Sequence, residues 1–139
     1  MTRRSRRAQL PGLLELLVER YGGVEHIDSD PLRTVIPFAR PEDREVVAFL
    51  AAALSFGNVK AILGGIETAL SPLGSHPARQ LRSWSPEEAI SAAQGFRYRW
   101  IHDIDMGGLY SALGVTLRKE GSLETLFAQG MTDSDTTTL

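Results

Sequence analysis

No cysteine occurs among the 139 residues, which excludes disulfides, thiolate-ligated zinc or iron–sulfur centres and any cysteine nucleophile. That suits a reducing cytosol. Long hydrophobic runs are also lacking. The longest apolar stretch, Val46 to Phe56 with Ser55 inside it, has eleven residues, against the roughly eighteen or more that a membrane span needs. There is no P-loop, no dinucleotide fingerprint and no serine-nucleophile motif. His26 and His76 have no histidine at helical ligand spacing, so no histidine-based zinc motif exists. No metal or cofactor is expected.

Positive charge is scarce beyond the N-terminus. Arg3, Arg4, Arg6 and Arg7 are four of the fifteen basic residues, and the rest of the chain sets eleven bases against seventeen acids. A globally basic nucleic-acid binder has a different balance. The arginine cluster suits phosphate or an anionic lipid surface, but a frayed solvated tail is the ordinary state of such a terminus and is expected here. Ser5 to Leu10 resembles a twin-arginine export signal, but Glu15 and Glu19 interrupt the apolar stretch and no small-residue cleavage site follows. A cytoplasmic protein is expected.

What remains is ordinary for a globular domain: 42% apolar and 23% charged residues. The length provides for one domain. It is placed at residues 10–130, between a disordered basic tail at 1–9 and a disordered, threonine-rich tail at 131–139.

The periodicity predicts an all-α fold of six to seven helices around a buried central helix at about 41–56. Leu10, Leu13, Leu14, Leu17 and Tyr21 form one stripe of a first helix over about 12–21, stopped by Gly22-Gly23. Pro31 and Pro37 exclude a long helix over 24–40, where a short turn follows Asp30. Pro41, Glu42 and Asp43 open the central helix, apolar nearly all round from Val46 to Phe56. Asn58 caps the next helix. Its Gly64-Gly65 pair calls for close approach of a neighbouring helix backbone. Pro77 to Trp84 gives one or two turns, and Ser85-Pro86-Glu87-Glu88 is a capping box. Leu109, Leu113 and Leu117 mark a helix from about Asp103 to Gly121, and Ser122 caps a last one with Leu126 and Phe127. The apolar stripes of these last two helices are expected to be partly bare, with self-association through residues 104–130.

Three clusters bear on chemistry. Phe96-Arg97-Tyr98-Arg99-Trp100, if extended, sets three aromatics on one face and two arginines on the other, a pattern suited to bases and phosphates. The alternative is inward-packed aromatics with arginines paired to acids. In His102-Asp103-Ile104-Asp105 the two aspartates suit a divalent cation, but their place just before a helix predicts capping. Asp43-Arg44-Glu45 offers paired carboxylates for acid–base work, or charges that serve the helix dipole. Leu10-Pro11-Gly12-Leu13 resembles half of a helix-hairpin-helix loop, with Leu14 where the second glycine belongs.

Asp30-Pro31-Leu32, the run from Pro41 to Ala52, and Leu54-Ser55-Phe56-Gly57-Asn58-Val59 form successive blocks. Tyr98-Arg99, Asp105, Gly121-Ser122-Leu123 and Leu126-Phe127 continue them. Together they resemble a conserved bacterial family of unknown function over roughly residues 10–130. That family in turn is remotely similar to the helix-hairpin-helix base-excision DNA glycosylases of the endonuclease three type. In those enzymes a leucine-serine pair leads into a DNA-probing loop, matched here by Leu54-Ser55 and the segment Phe56 to Lys60. The glycosylases place glutamine where this chain has Gly57. Their hairpin, lysine and aspartate lie in a later half, so the resemblance carries over no catalytic residue and implies an N-terminal portion of a longer fold. DNA, single-stranded or distorted, is the implied partner, met by Asn58, Lys60, Arg97, Tyr98 and Arg99. The competing reading is a helical scaffold or protein-interaction module.

Overall fold

Pro41 opens the helix on which the rest is assembled, because its fixed φ and missing N–H suit a first helical turn. A computed structural model describes residues 3–23 and 27–131, with side chains from Leu10 onward. Seven α-helices follow one another among the described residues: α1 (Arg3–Tyr21), α2 (Pro41–Leu54), α3 (Val59–Leu70), α4 (Pro77–Ser83), α5 (Pro86–Ala92), α6 (Asp103–Glu120) and α7 (Leu123–Ala128). A two-stranded antiparallel hairpin, β1 (Arg97–Tyr98) and β2 (Ile101–His102), joins α5 to α6. The all-α reading holds.

The core lies between α2, α3, α4 and α6, with Leu50, Leu54, Ile66, Leu81, Met106 and Tyr110 among its fully enclosed side chains. α2 is not buried all round, as the sequence predicted. Val46, Val47, Leu50, Ala51 and Leu54 face inward, while Ala48, Phe49, Ala52 and Ala53 stay exposed. The helix also stops at Leu54 instead of Phe56. The Ser55 hydroxyl donates to the Ala51 carbonyl and the Phe56 N–H to the Leu54 carbonyl, which turns the chain out of the helix.

Caps follow the local chemistry. Asn58 accepts from the Ala61 N–H, Ser122 from the Thr125 N–H, and Ser85 and Glu88 form the reciprocal capping box. Asp105 accepts from the His102 N–H at 2.9 Å, so capping is what this aspartate does. Among the described residues no cluster suited to a metal occurs.

The acids of α2 work at a distance. Asp43, 2% exposed, accepts from the Ala78 N–H in the first turn of α4 and lies 3.5 Å from His76 Nδ1. Glu45 accepts from the Leu123 and Glu124 N–H groups at the start of α7. Each is a helix cap supplied by another helix. Arg44 donates to the Phe38 carbonyl.

Two glycines of α6 set the close packing. A Cβ on Gly107 would lie 2.7 Å from the Ile90 Cα, and one on Gly114 would lie 2.5 Å from the Leu81 carbonyl oxygen. Gly65 of α3 also accommodates a neighbour, but the neighbour is the Tyr98 ring, not a helix backbone. Around Gly64 the space is open.

α1 departs most from expectation. It begins at Arg3, well before Gly12, and carries Pro11 inside it, so the Leu10-Pro11-Gly12-Leu13 segment is helix and not a phosphate-binding loop. The residues of its stripe, Leu10, Leu13, Leu14, Leu17 and Tyr21, are all exposed. Conversely, Leu113 and Leu117, expected to be partly bare, are buried under α4 and α5, which pack on α6. Exposure in that region falls on Ile104, Val115, Leu126 and Phe127. His26 and the tail from 132 lie outside the described residues. Among the described residues no helix is long and apolar enough to cross a membrane.

Candidate nucleic-acid interface

The segment leaving α2 and the β1–β2 hairpin are far apart in sequence and meet at one end of the domain. The Tyr98 hydroxyl donates to the Phe56 carbonyl at 2.7 Å across 42 positions. The Phe56 ring lies 5.1 Å from that of Tyr98 and is stacked on Trp100 at 4.4 Å, with 16° between the planes. Arg99 sits beside Gly57, close enough that any Cβ on Gly57 would collide with the guanidinium. Gly57 has φ +116°, which independently favours glycine.

The hairpin turn explains which side chains point out. Arg99, at its first corner, has φ +52°, a left-handed conformation rare for residues other than glycine, asparagine and aspartate. A two-residue hairpin loop needs positive φ there to match the strand twist. The reversal breaks the alternation predicted for an extended 96–100. Phe96 and Tyr98 point inward as alternation requires, but Trp100 swings out and is 70% exposed.

The five predicted residues therefore divide. Arg97 and Arg99 are exposed at the tip, and neither forms an ion pair with a described residue. Arg99 instead lies 5.9 Å from the centre of the Tyr98 ring. Tyr98 is only 7% exposed, with its ring against Gly65, so it is a support and offers no face to a base. Asn58 is exposed in the adjoining loop, its side-chain oxygen occupied by the α3 cap. Lys60 is exposed too, but it lines a different groove beside Asp28, Arg33 and Glu67.

Phe56 and Trp100 were the residues sequence reasoning missed as a pair. The signal was present in part, since Trp100 closes the aromatic–arginine alternation. What hid it was the turn at Arg99.

Comparison with curated proteins and with solved structures gives no match. The family described as "Protein of unknown function (DUF2400)" matches residues 30–139, most of the chain and all of this tip. Blocks Asp30-Pro31-Leu32 through Leu126-Phe127 lie inside that match, whereas α1 lies before it. The chain belongs to the DUF2400 family.

Proposed function

We propose that this chain is a DNA-binding helical protein whose contact face is the β1–β2 tip with the adjoining connection between α2 and α3. The observation that carries the reading is that Arg97 and Arg99, two positions apart in the hairpin, are both exposed with no carboxylate partner among the described residues. A guanidinium group binds phosphate through planar, paired N–H donors. Beyond the N-terminal arginines the chain is acidic on balance, which disfavours phosphate over most of its remaining surface. The glycosylase-like form of the reading gains support from Leu54-Ser55, which closes α2 and leads into a short connection, Phe56 to Asn58, although Val59 and Lys60, expected in a loop, already belong to α3. No catalytic residue goes with it. A cytoplasmic setting suits the partner.

The test is fluorescence anisotropy of a labelled single-stranded oligonucleotide at low salt. Weak binding that fades as salt rises supports the reading. An unchanged signal up to high protein concentration contradicts it.

A second reading, a protein-interaction module, is favoured by one specific observation. α1 exposes Leu10, Leu13, Leu14 and Leu17 together, and α2 exposes Phe49 with Ala52 and Ala53. Apolar surface of that kind normally marks an interface. Self-association would involve these faces together with Ile104, Leu126 and Phe127. Sedimentation velocity decides it: concentration-dependent association supports the module, and a clean monomer at all concentrations opposes it.

A further inference from the structure

We propose, resting on the DNA-binding reading above, that the Phe56–Trp100 pair is a stacking platform for one unpaired nucleobase. The ligand class is then nucleic acid with unstacked bases, not intact duplex.

Trp100 has the most to gain from burial of any side chain at this end, yet it is 70% exposed. Its exposure is held in place. Phe56 lies flat against one face of the indole at 4.4 Å, and Phe56 is itself anchored by the Tyr98 hydroxyl on its carbonyl. The other face of Trp100 is left to solvent, parallel to an aromatic ring that already backs it. A planar ligand inserted there extends an existing stack.

Backbone geometry points the same way. The turn that presents Trp100 requires a left-handed conformation at Arg99, φ +52°. Glycine is the usual residue at such a corner, whereas this chain keeps an arginine there and makes room for its guanidinium with the side-chain-free Gly57. Conformations of this kind persist where the surrounding structure over-determines them, as at ligand-contacting sites. The arrangement places two cations, Arg97 and Arg99, in sequence contact with the platform. A base on Trp100 carries its phosphates along with it, so both halves of a nucleotide find a partner.

The unpaired state follows from the chemistry of stacking. Every base has a π-face, so such a platform tolerates sequence. In duplex DNA those faces are already covered by neighbouring bases, and exposing one costs unstacking energy.

The experiment compares three labelled ligands of equal length at low salt: an ordinary single strand, an abasic strand with the same phosphates, and a duplex. The wild-type protein is expected to bind the ordinary strand about fivefold or more tighter than the other two. Trp100→Ala should bring the ordinary strand down to the abasic level, and Trp100→Phe should restore part of the difference. The thermal transition of Trp100→Ala, at an exposed position, should stay near that of wild type and exclude misfolding as the cause. Equal affinity for ordinary and abasic strands overturns the platform while leaving phosphate binding standing. Preference for duplex overturns it as well. No binding to any of the three ligands overturns the DNA-binding reading itself.

Discussion

Arg82 and Arg118 cap each other's helices. Arg118, near the end of α6, donates from Nη1 to the Leu81, Arg82 and Trp84 carbonyls at 3.4, 3.0 and 3.2 Å, where α4 runs out. Arg82, near the end of α4, donates to the Leu117 carbonyl at 3.4 Å and to the Gly121 carbonyl where α6 ends. Helix C-termini leave carbonyls without partners and carry partial negative charge, so a guanidinium answers both needs. Arg118→Ala is expected to lower unfolding stability by about 1–2 kcal/mol, given that hydrogen bonds from charged groups are worth more than neutral ones. Urea unfolding reads this directly, and an unchanged midpoint would contradict the capping role.

The glycines of α6 predict opposite signs for one substitution. Gly114→Ala puts a Cβ against the Leu81 carbonyl oxygen, so α4 and α6 must move apart. A loss of about 1–3 kcal/mol is expected, as for other overpacked sites. Gly108→Ala meets nothing within 4 Å and should stabilise the helix by up to about 1 kcal/mol. Thermal unfolding of the two variants side by side checks the contrast. Equal effects would mean that α4 and α6 are not packed this closely.

Leu50 is fully enclosed in the middle of α2. Leu50→Asp buries a carboxylate with no partner, and loss of cooperative folding is expected. Ala52→Asp on the exposed face of the same helix should cost no more than about 1 kcal/mol. Circular dichroism melts distinguish the pair. A cooperative transition in Leu50→Asp matching wild type would show that this helix is not the core.

Burial pushes the Tyr110 phenol well above its ordinary value, and its hydroxyl donates to the Ala69 carbonyl at 2.5 Å. The folded chain therefore keeps this proton at pH values where the unfolded chain has lost it. Its contribution to stability is complete below about pH 10 and declines as pH rises beyond that. Tyr110→Phe should be about 1 kcal/mol less stable at neutral pH through the lost hydrogen bond. That gap should narrow above pH 10, because the variant has no phenol to titrate. Denaturant unfolding at pH 7 and pH 11 measures it, and a gap that widens would contradict the sign.

Much of the fold was legible because its signals are local. Pro41, Asn58, Ser85 with Glu88, and Ser122 each start a helix through groups within three residues, and each does so in the structure. Long-range caps were not legible. Nothing near Asp43 or Glu45 in sequence announces Ala78 or Leu123, which lie 35 and 78 positions away. An apolar stripe does not announce what covers it: α2, expected to be buried all round, exposes Phe49, Ala52 and Ala53, while Leu113 and Leu117, expected to be partly bare, are enclosed. At the tip, alternation correctly sent Phe96 inward and both arginines outward. It sent Tyr98 inward as well, though not to its hydroxyl partner 42 residues away, and it misplaced Trp100, because a positive φ at Arg99 cannot be inferred from an arginine.

The most direct test of the DNA-binding reading is the salt dependence of single-strand affinity for wild type and Arg97→Ala. Each phosphate contact to a single strand contributes a slope of about 0.7 in log affinity against log salt. Arg97 is exposed and free of ion pairs with described residues, so its removal leaves the fold alone. Wild-type binding that weakens with salt, with a slope reduced by about 0.7 in Arg97→Ala, is the predicted result. Wild-type binding with the same slope in the variant, or no binding at low salt, would contradict the assignment of this tip to DNA.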